Sequence, residues 1–190
     1  MIQIWVKRKN KNRATINKYI LLDRDGTLIV HVHYLTDPLQ VTLLPNVIEG
    51  LILFQNLGFR FGIVTNQSII GQGLANWNQV DSVNHEVIRL LSQHGLSIDF
   101  VYVCPHTKDD GCDCRKPKAL LGQRAIKNFD IGPKVSFMIG DQASDVMFGH
   151  AISCGSIQIK SEAAPNLVAD FVAADLLEAA IWVKEELDKS

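Results

Sequence analysis

Short apolar runs alternate with helically spaced apolar residues along most of this chain. KYILLD (18–23), FRFGIVT (59–65), DFVYVC (99–104), VSFMIGD (135–141) and SIQI (156–159) read as strands. Several are apolar nearly throughout, the pattern of a strand covered on both faces. Between the first two, Pro45 and Asn46 open a helical run through Val47, Leu51 and Phe54, which Gly58 closes. Val80, Val83, Val87, Leu90, Leu91 and His94 recur at helical spacing as far as Gly95. Further helices are predicted near 118–129, 144–153 and 174–188. Strands that alternate with helices predict an α/β domain with a mostly parallel sheet. No repeat, low-complexity segment or linker divides the chain, so residues 18–190 read as one domain.

In open parallel sheets, ligands bind outside the carboxyl ends of the strands. Those ends here read Asp23-Arg24-Asp25-Gly26-Thr27, then Thr65-Asn66-Gln67-Ser68, then the cysteine-containing loop, then Gly140-Asp141. Acidic, hydroxyl and basic groups thus collect on one edge. Asp23 and Asp25 are two apart in extended backbone, so both can face one centre. Close carboxylates repel one another unless a cation joins them. With Asp141 they make an oxygen-donor set suited to Mg²⁺, which keeps waters and pairs with phosphate oxygens.

Composition changes this picture little. A chain of 190 residues can bury a sizeable core in one domain. The formal net charge of −1 gives no overall pull toward nucleic acid or an anionic membrane, and no apolar run reaches the ~20 residues of a membrane span. Residues 1–17 are locally basic and read as a solvated extension or an extra edge strand, with a polyanion-binding arm as the alternative. Their apolar start is too short for a secretory signal. A cytoplasmic monomer with reduced thiols is expected.

In that setting, Cys104, His106, Cys112 and Cys114 form C-x-H-x₅-C-x-C. Three thiolates and an imidazole suit a closed tetrahedral Zn²⁺ site, structural rather than catalytic. Disulfide pairing would leave one of the three cysteines over. Cys154, far along the chain, reads as a small buried residue. A metal-held loop over 104–114 would present Arg115 and Lys116 at a fixed place. Arginine there can grip hydroxyls, carboxylates or phosphates with its planar fork.

LLDRDGTL, VTNQS, RKP and IGDQASD resemble, in order, the four motifs of the haloacid dehalogenase superfamily of phosphotransferases. LDRDGTL with TNQS and CPH…CDCRKP is similar more closely to its histidinol-phosphate and heptose-bisphosphate phosphatase branch. The resemblance covers Tyr19 to Ile159. It implies a three-layer, Rossmann-like parallel sheet without a cap domain, its site covered by the loops 29–44 and 69–77. It also implies roles. Asp23 is the nucleophile that forms an aspartyl-phosphate, and Asp25 the acid and base for the leaving group and the water. Thr65 holds phosphoryl oxygens and Lys116 neutralises their charge. Mg²⁺ takes the carboxylates of Asp23 and Asp141 and the backbone carbonyl of Asp25. Asp145 either orients the metal's water shell or serves as a helix N-terminal carboxylate. Asn66, Gln67, Ser68, Arg115 and Tyr34 are the candidate substrate contacts.

The implied activity is Mg²⁺-dependent hydrolysis of a small phosphorylated metabolite, with no nucleic-acid or membrane partner. The leading substrate is D-glycero-D-manno-heptose 1,7-bisphosphate, at its C7 phosphate, and histidinol phosphate is the alternative. A polynucleotide 3′-phosphatase shares motifs but would want a basic, aromatic-rich groove. An inactive zinc-binding interaction module is the alternative of another class. The sequence departs from the heptose branch at Ile69, Gln72 and Gln142. A glycine and two cations are expected there, and a second phosphate wants positive partners. His31 and His33 fall on alternate positions of one strand-like run and read as structural. His85, His94 and His150 lie on helical patterns and carry no assigned role.

Overall fold

The computed structural model describes residues 3–6, 16–160 and 168–189. A seven-stranded sheet runs in the order β1-β4-β3-β2-β5-β6-β7. Its strands are β1 (Gln3–Val6), β2 (Tyr19–Leu22), β3 (Arg60–Asn66), β4 (Ile98–Cys104), β5 (Phe137–Gly140), β6 (Gly155–Ile159) and β7 (Phe171–Ala173). Strands β2 to β7 are parallel, and β1 adds to the free edge of β4 in antiparallel sense. Within the stretch 1–17, residues 3–6 therefore form an edge strand. The basic residues 7–15, to which the polyanion-arm reading referred, lie outside the described residues.

Among the described residues, α1 (Val47–Asn56), α2 (Trp77–Ser92), α3 (Leu120–Phe129) and α4 (Ala143–Ala151) connect successive strands, and α5 (Leu176–Asp188) follows β7. Successive strand residues point to opposite faces, and the two faces of the sheet hold separate cores. Ile20, Leu22, Ile63, Val101 and Val103 pack with Val47, Leu51 and Phe54 of α1, Val80, Val83 and Val87 of α2, and Ala179, Ala180 and Val183 of α5. Tyr19, Leu21, Val64, Phe100, Tyr102 and Met138 pack on the other face with Leu121, Ala125 and Phe129 of α3 and with Phe148. Helices on both faces of a parallel sheet make the three layers that the resemblance implies. The all-buried β2 and β4 explain why those segments read as continuous apolar runs.

The predicted helix starts follow local capping chemistry. Asn76 and Gln79 close a reciprocal capping box at the start of α2. At the start of α4, Asp145 Oδ2 accepts the Gln142 N–H and the Asp145 N–H donates to the Gln142 carbonyl. Helix α1 meets the N-terminus of α5 so closely that a Cβ on Gly50 would lie 2.5 Å from the backbone carbonyl of Leu176. That contact is backbone and cannot swing aside. Gly50→Ala is therefore expected to destabilise the fold by about 1–3 kcal/mol, despite alanine's better helix propensity. Urea unfolding of the two proteins measures this, and an unchanged or higher midpoint would contradict the close approach.

Candidate active site

The chain leaves β2 to build one side of the sheet through β3 and β4, then returns to β5 and builds the other side. The strand order thus reverses between β2 and β5, and such a switch point opens a crevice at the carboxyl ends. Asp23 follows β2 there, with its backbone N–H donating to the Ile139 carbonyl at 2.9 Å. Asp141 follows β5. After Asp25 the chain turns at Gly26, whose φ is 76°, a conformation that favours glycine. A Cβ at Gly26 would also lie 2.6 Å from Asp141 Oδ2, so only glycine lets the turn pass this carboxylate.

Lys116 enters from the loop after β4. Its ammonium lies 2.9 Å from Asp23 Oδ1 and 2.6 Å from Asp145 Oδ1 and is almost wholly buried. Burial opposes the charge, but the carboxylates of Asp145 and Asp23 outweigh it and hold the lysine above its ordinary pKa. Burial pushes the Asp145 carboxyl up to about 7. Burial, aided by the charge of Asp23, also raises Asp141. One oxygen each from Asp23, Asp141 and Asp145 lies within 4.8 Å of the others. Three carboxylates around one ammonium leave a surplus of negative charge, which favours a hard, oxygen-seeking cation. Among the described residues this donor set fits Mg²⁺. It brings Asp145 in directly, where the sequence had offered it either a metal role or a helix-terminal one. The helix-terminal contact is present, since Asp145 Oδ2 accepts the Gln142 N–H at 3.0 Å.

Asp25 stands outside that carboxylate cluster. Its Oδ2 accepts from Gln67 Nε2 at 2.7 Å and from Arg24 Nη2 at 2.9 Å. Gln67 Nε2 also lies 2.9 Å from Thr65 Oγ1, joining the hydroxyl at the end of β3 to the second aspartate. The Asn66 amide grips the Lys116 backbone, accepting its N–H at 3.0 Å and donating to its carbonyl at 3.2 Å. Asn66 and Gln67, expected as substrate contacts, are thus engaged with the site's own residues. Ser68, Arg115 and Tyr34 line a cleft of ≈ 790 Å³ together with His31 and His33. Arg115 donates to the His106 carbonyl at 3.0 Å, and Tyr34 packs on His33 with ring centroids 3.7 Å apart. Gln142, where a cation was expected, turns its amide onto Asp141 Oδ2 at 2.6 Å. Gln72 lies 3.4 Å from Ser68 Oγ.

Two residues of this network drew no attention in the sequence. Arg24, between the two aspartates, is 1% exposed. It donates through Nη1 to Asn84 Oδ1 at 2.8 Å, on α2. The available signals were an arginine two residues past an all-buried strand and an asparagine on the apolar face of Val80, Val83 and Val87.

The second donor cluster closes the loop after β4. The sulfurs of Cys104, Cys112 and Cys114 stand 3.3–3.7 Å apart, and His106 Nδ1 is 3.6 Å from Cys104 Sγ and 3.1 Å from Cys114 Sγ. A tetrahedron with Zn–S bonds of ~2.3 Å has sulfur–sulfur edges of about 3.8 Å, so the four donors fit a zinc ion. Burial pushes the Cys104 and Cys114 thiols up. Burial raises Cys112 too, but backbone N–H groups of Arg115 and Cys114 pull it below the ordinary thiol value. Cys154 is buried and apart from this cage, as expected of a packing residue.

Residues 113–179 match the family model described as "HAD-hyrolase-like". The chain is 36% identical over 140 residues to the D-glycero-beta-D-manno-heptose-1,7-bisphosphate 7-phosphatase of Pasteurella multocida, covering 70% of this chain and 76% of that protein. It is also 36% identical over 145 residues to the histidine biosynthesis bifunctional protein HisB of Blochmanniella floridana, covering 75% of this chain. Of that relative's length the chain spans 41%. The crystal structure of D,D-heptose 1,7-bisphosphate phosphatase from B. bronchiseptica, complexed with magnesium and phosphate, shares the fold. Its TM-score is 0.77 at 23% identity, over 89% of this chain and 99% of that one. Among the described residues, no helix is long and apolar enough to cross a membrane.

The four-donor cage predicts about one zinc per purified chain, and Cys112→Ser is expected to lose most of it and to lower the melting temperature. Elemental analysis alongside thermal unfolding checks both. A variant that keeps its zinc, or a wild type that carries none after refolding with excess metal, would contradict the cage.

Proposed function

Since the chain belongs to the haloacid dehalogenase-like hydrolase family, we propose that it hydrolyses a small phosphomonoester through an aspartyl-phosphate on Asp23. The proposed substrate is D-glycero-D-manno-heptose 1,7-bisphosphate, cleaved at C7. The observation that carries this reading is the buried Lys116 ammonium between Asp23 and Asp145, with Asp141 alongside, at the switch point of the sheet. Such a site fixes one carboxylate as an attacking group and surrounds it with charge matched to a phosphoryl group.

Asp23 is the nucleophile, and its contact with Lys116 orients it. Asp25 gives its proton to the leaving oxygen and then takes one from the hydrolytic water. The Thr65 hydroxyl binds a phosphoryl oxygen, and Lys116 offsets charge on the transferring group. Asp23, Asp141 and the backbone carbonyl of Asp25 would hold Mg²⁺, with Asp145 beside them, and the ion supplies further neutralisation of the phosphoryl oxygens. Asn66 sets the position of Lys116 from behind. A structural Zn²⁺ in the cysteine cage would order the loop that delivers both Arg115 and Lys116.

The heptose reading is supported by the similarity to the Pasteurella multocida enzyme over most of its length. It is also supported by a cleft wide enough for a sugar, rimmed by Lys108, Arg115 and Lys118 as partners for a second phosphate. Ser68 and Tyr34 offer hydroxyls to the sugar. These rim cations take over from the ones absent at positions 72 and 142. Histidinol phosphate is the second reading, favoured by the equal identity to the histidine-biosynthesis relative.

Measured side by side with Mg²⁺, kcat/KM is expected to be higher for the heptose bisphosphate than for histidinol phosphate, and the reverse order would overturn the substrate assignment. Asp23→Asn is expected to lower turnover of either by at least about 10³-fold. A variant that retains wild-type rates would remove Asp23 from the chemistry.

A further inference from the structure

We infer that Arg24 and Asn84 form a buried clamp that positions the Asp25 carboxyl group for proton transfer to the leaving group. The inference rests on the phosphatase reading above and adds two residues to it. Arg24 uses one side of its guanidinium on Asp25, through Nε at 3.2 Å and Nη2 at 2.9 and 3.1 Å from the two carboxylate oxygens. The other side, through Nη1, donates to Asn84 Oδ1 at 2.8 Å. Both clamp residues are buried, at 1% and 4% exposure. Asn84 sits in the middle of α2, so the helix holds the guanidinium and the guanidinium holds the carboxylate.

Fold stability alone gives little reason for this arrangement. A buried charged pair is seldom more stable than apolar side chains of similar volume, and Asn84 interrupts an otherwise apolar helix face. What the clamp supplies is geometry. The planar fork fixes the plane of the Asp25 carboxylate more tightly than a single donor could. Gln67 Nε2 meets Asp25 Oδ2 from a second direction at 2.7 Å and ties it to Thr65. The proton donor is thereby placed relative to the hydroxyl proposed to bind the phosphoryl oxygen. In the first step, Asp23 oxygen bonds to phosphorus, the bond from phosphorus to the leaving oxygen breaks, and the Asp25 proton ends on that oxygen. Misplacing such a donor by a fraction of an ångström costs rate without loosening the fold.

Arg24 and Asn84 are positioning residues by this account, and the nature of the leaving group separates that role from a structural one. Nitrophenolate departs without needing a proton, whereas a primary alkoxide needs one. The values of kcat/KM, which report the step in which the leaving group departs, are compared for p-nitrophenyl phosphate and for whichever of heptose 1,7-bisphosphate and histidinol phosphate the wild type prefers. In Asn84→Ala and Arg24→Lys the alkyl ester is expected to lose at least about tenfold more than the aryl ester. Asp25→Asn should show the same bias, and adding Asn84→Ala to it should discriminate no further. Equal losses on both esters, or no loss, would overturn the clamp. Should Arg24→Lys fail to fold, Asn84→Ala, which keeps the buried charge paired, decides the matter. A wild type inactive on all three esters would instead overturn the phosphatase reading, and the clamp with it.

Discussion

An ammonium group buried in a protein must have partners, and the Lys116 ammonium sits between Asp23 and Asp145. Removing either carboxylate would leave a charge stranded in the interior, a loss of several kcal/mol in typical cases. The rest of the site follows from keeping that lysine in place. Its backbone is gripped by Asn66 at the end of β3, and the loop that delivers it starts at Cys104, the last residue of β4. Immediately before it, Cys112 and Cys114 close the four-donor cage. Through chain connectivity, a zinc ion held in the cage, as proposed, would fix the approach of Lys116. It would order a polar loop that has little apolar surface to bury, and so set where the ammonium can reach.

Close approach is the second constraint. The turn after Asp25 must pass the Asp141 carboxylate, and β5 must pass the Asp145 side chain, whose oxygen would lie 2.2 Å from a Cβ at Gly140. Glycine at both positions brings carboxylates from separate strand ends near one point. Desolvation, with repulsion from the Asp23 charge, raises the pKa of Asp141 and Asp145. The same repulsion is what a divalent cation would relieve.

Much of this was legible in the sequence because it was written in local pattern. The apolar runs that became β2, β3, β4, β5 and β6 were read within one or two residues of their observed ends, and helices α1 to α5 fell where periodicity placed them. The three-residue β7 was missed because Phe171–Ala173 is too short to show a period. At the site, Asp23, Thr65, Lys116 and Asp141 could be named because each ends a strand or follows a metal-binding pattern. Asn66 and Gln67 read as candidate substrate contacts, and their hydrogen bonds to the Lys116 backbone and to Asp25 emerge only with their neighbours in space. Arg24 and Asn84 were invisible for the same reason. Their partnership spans sixty residues, and neither lies on a motif that pairs them. The amide of Gln142 likewise has meaning only once Asp141 is seen beside it.

The proposed chemistry requires Asp23 to become covalently attached to phosphorus. Acid quenching of a single turnover with ³²P-labelled substrate, followed by proteolysis, tests this directly. The label is expected on the peptide that carries Asp23, stable in acid and lost in mild base, and absent from Asp23→Asn. Turnover with no protein-bound phosphorus, or label on a peptide elsewhere in the chain, would contradict it.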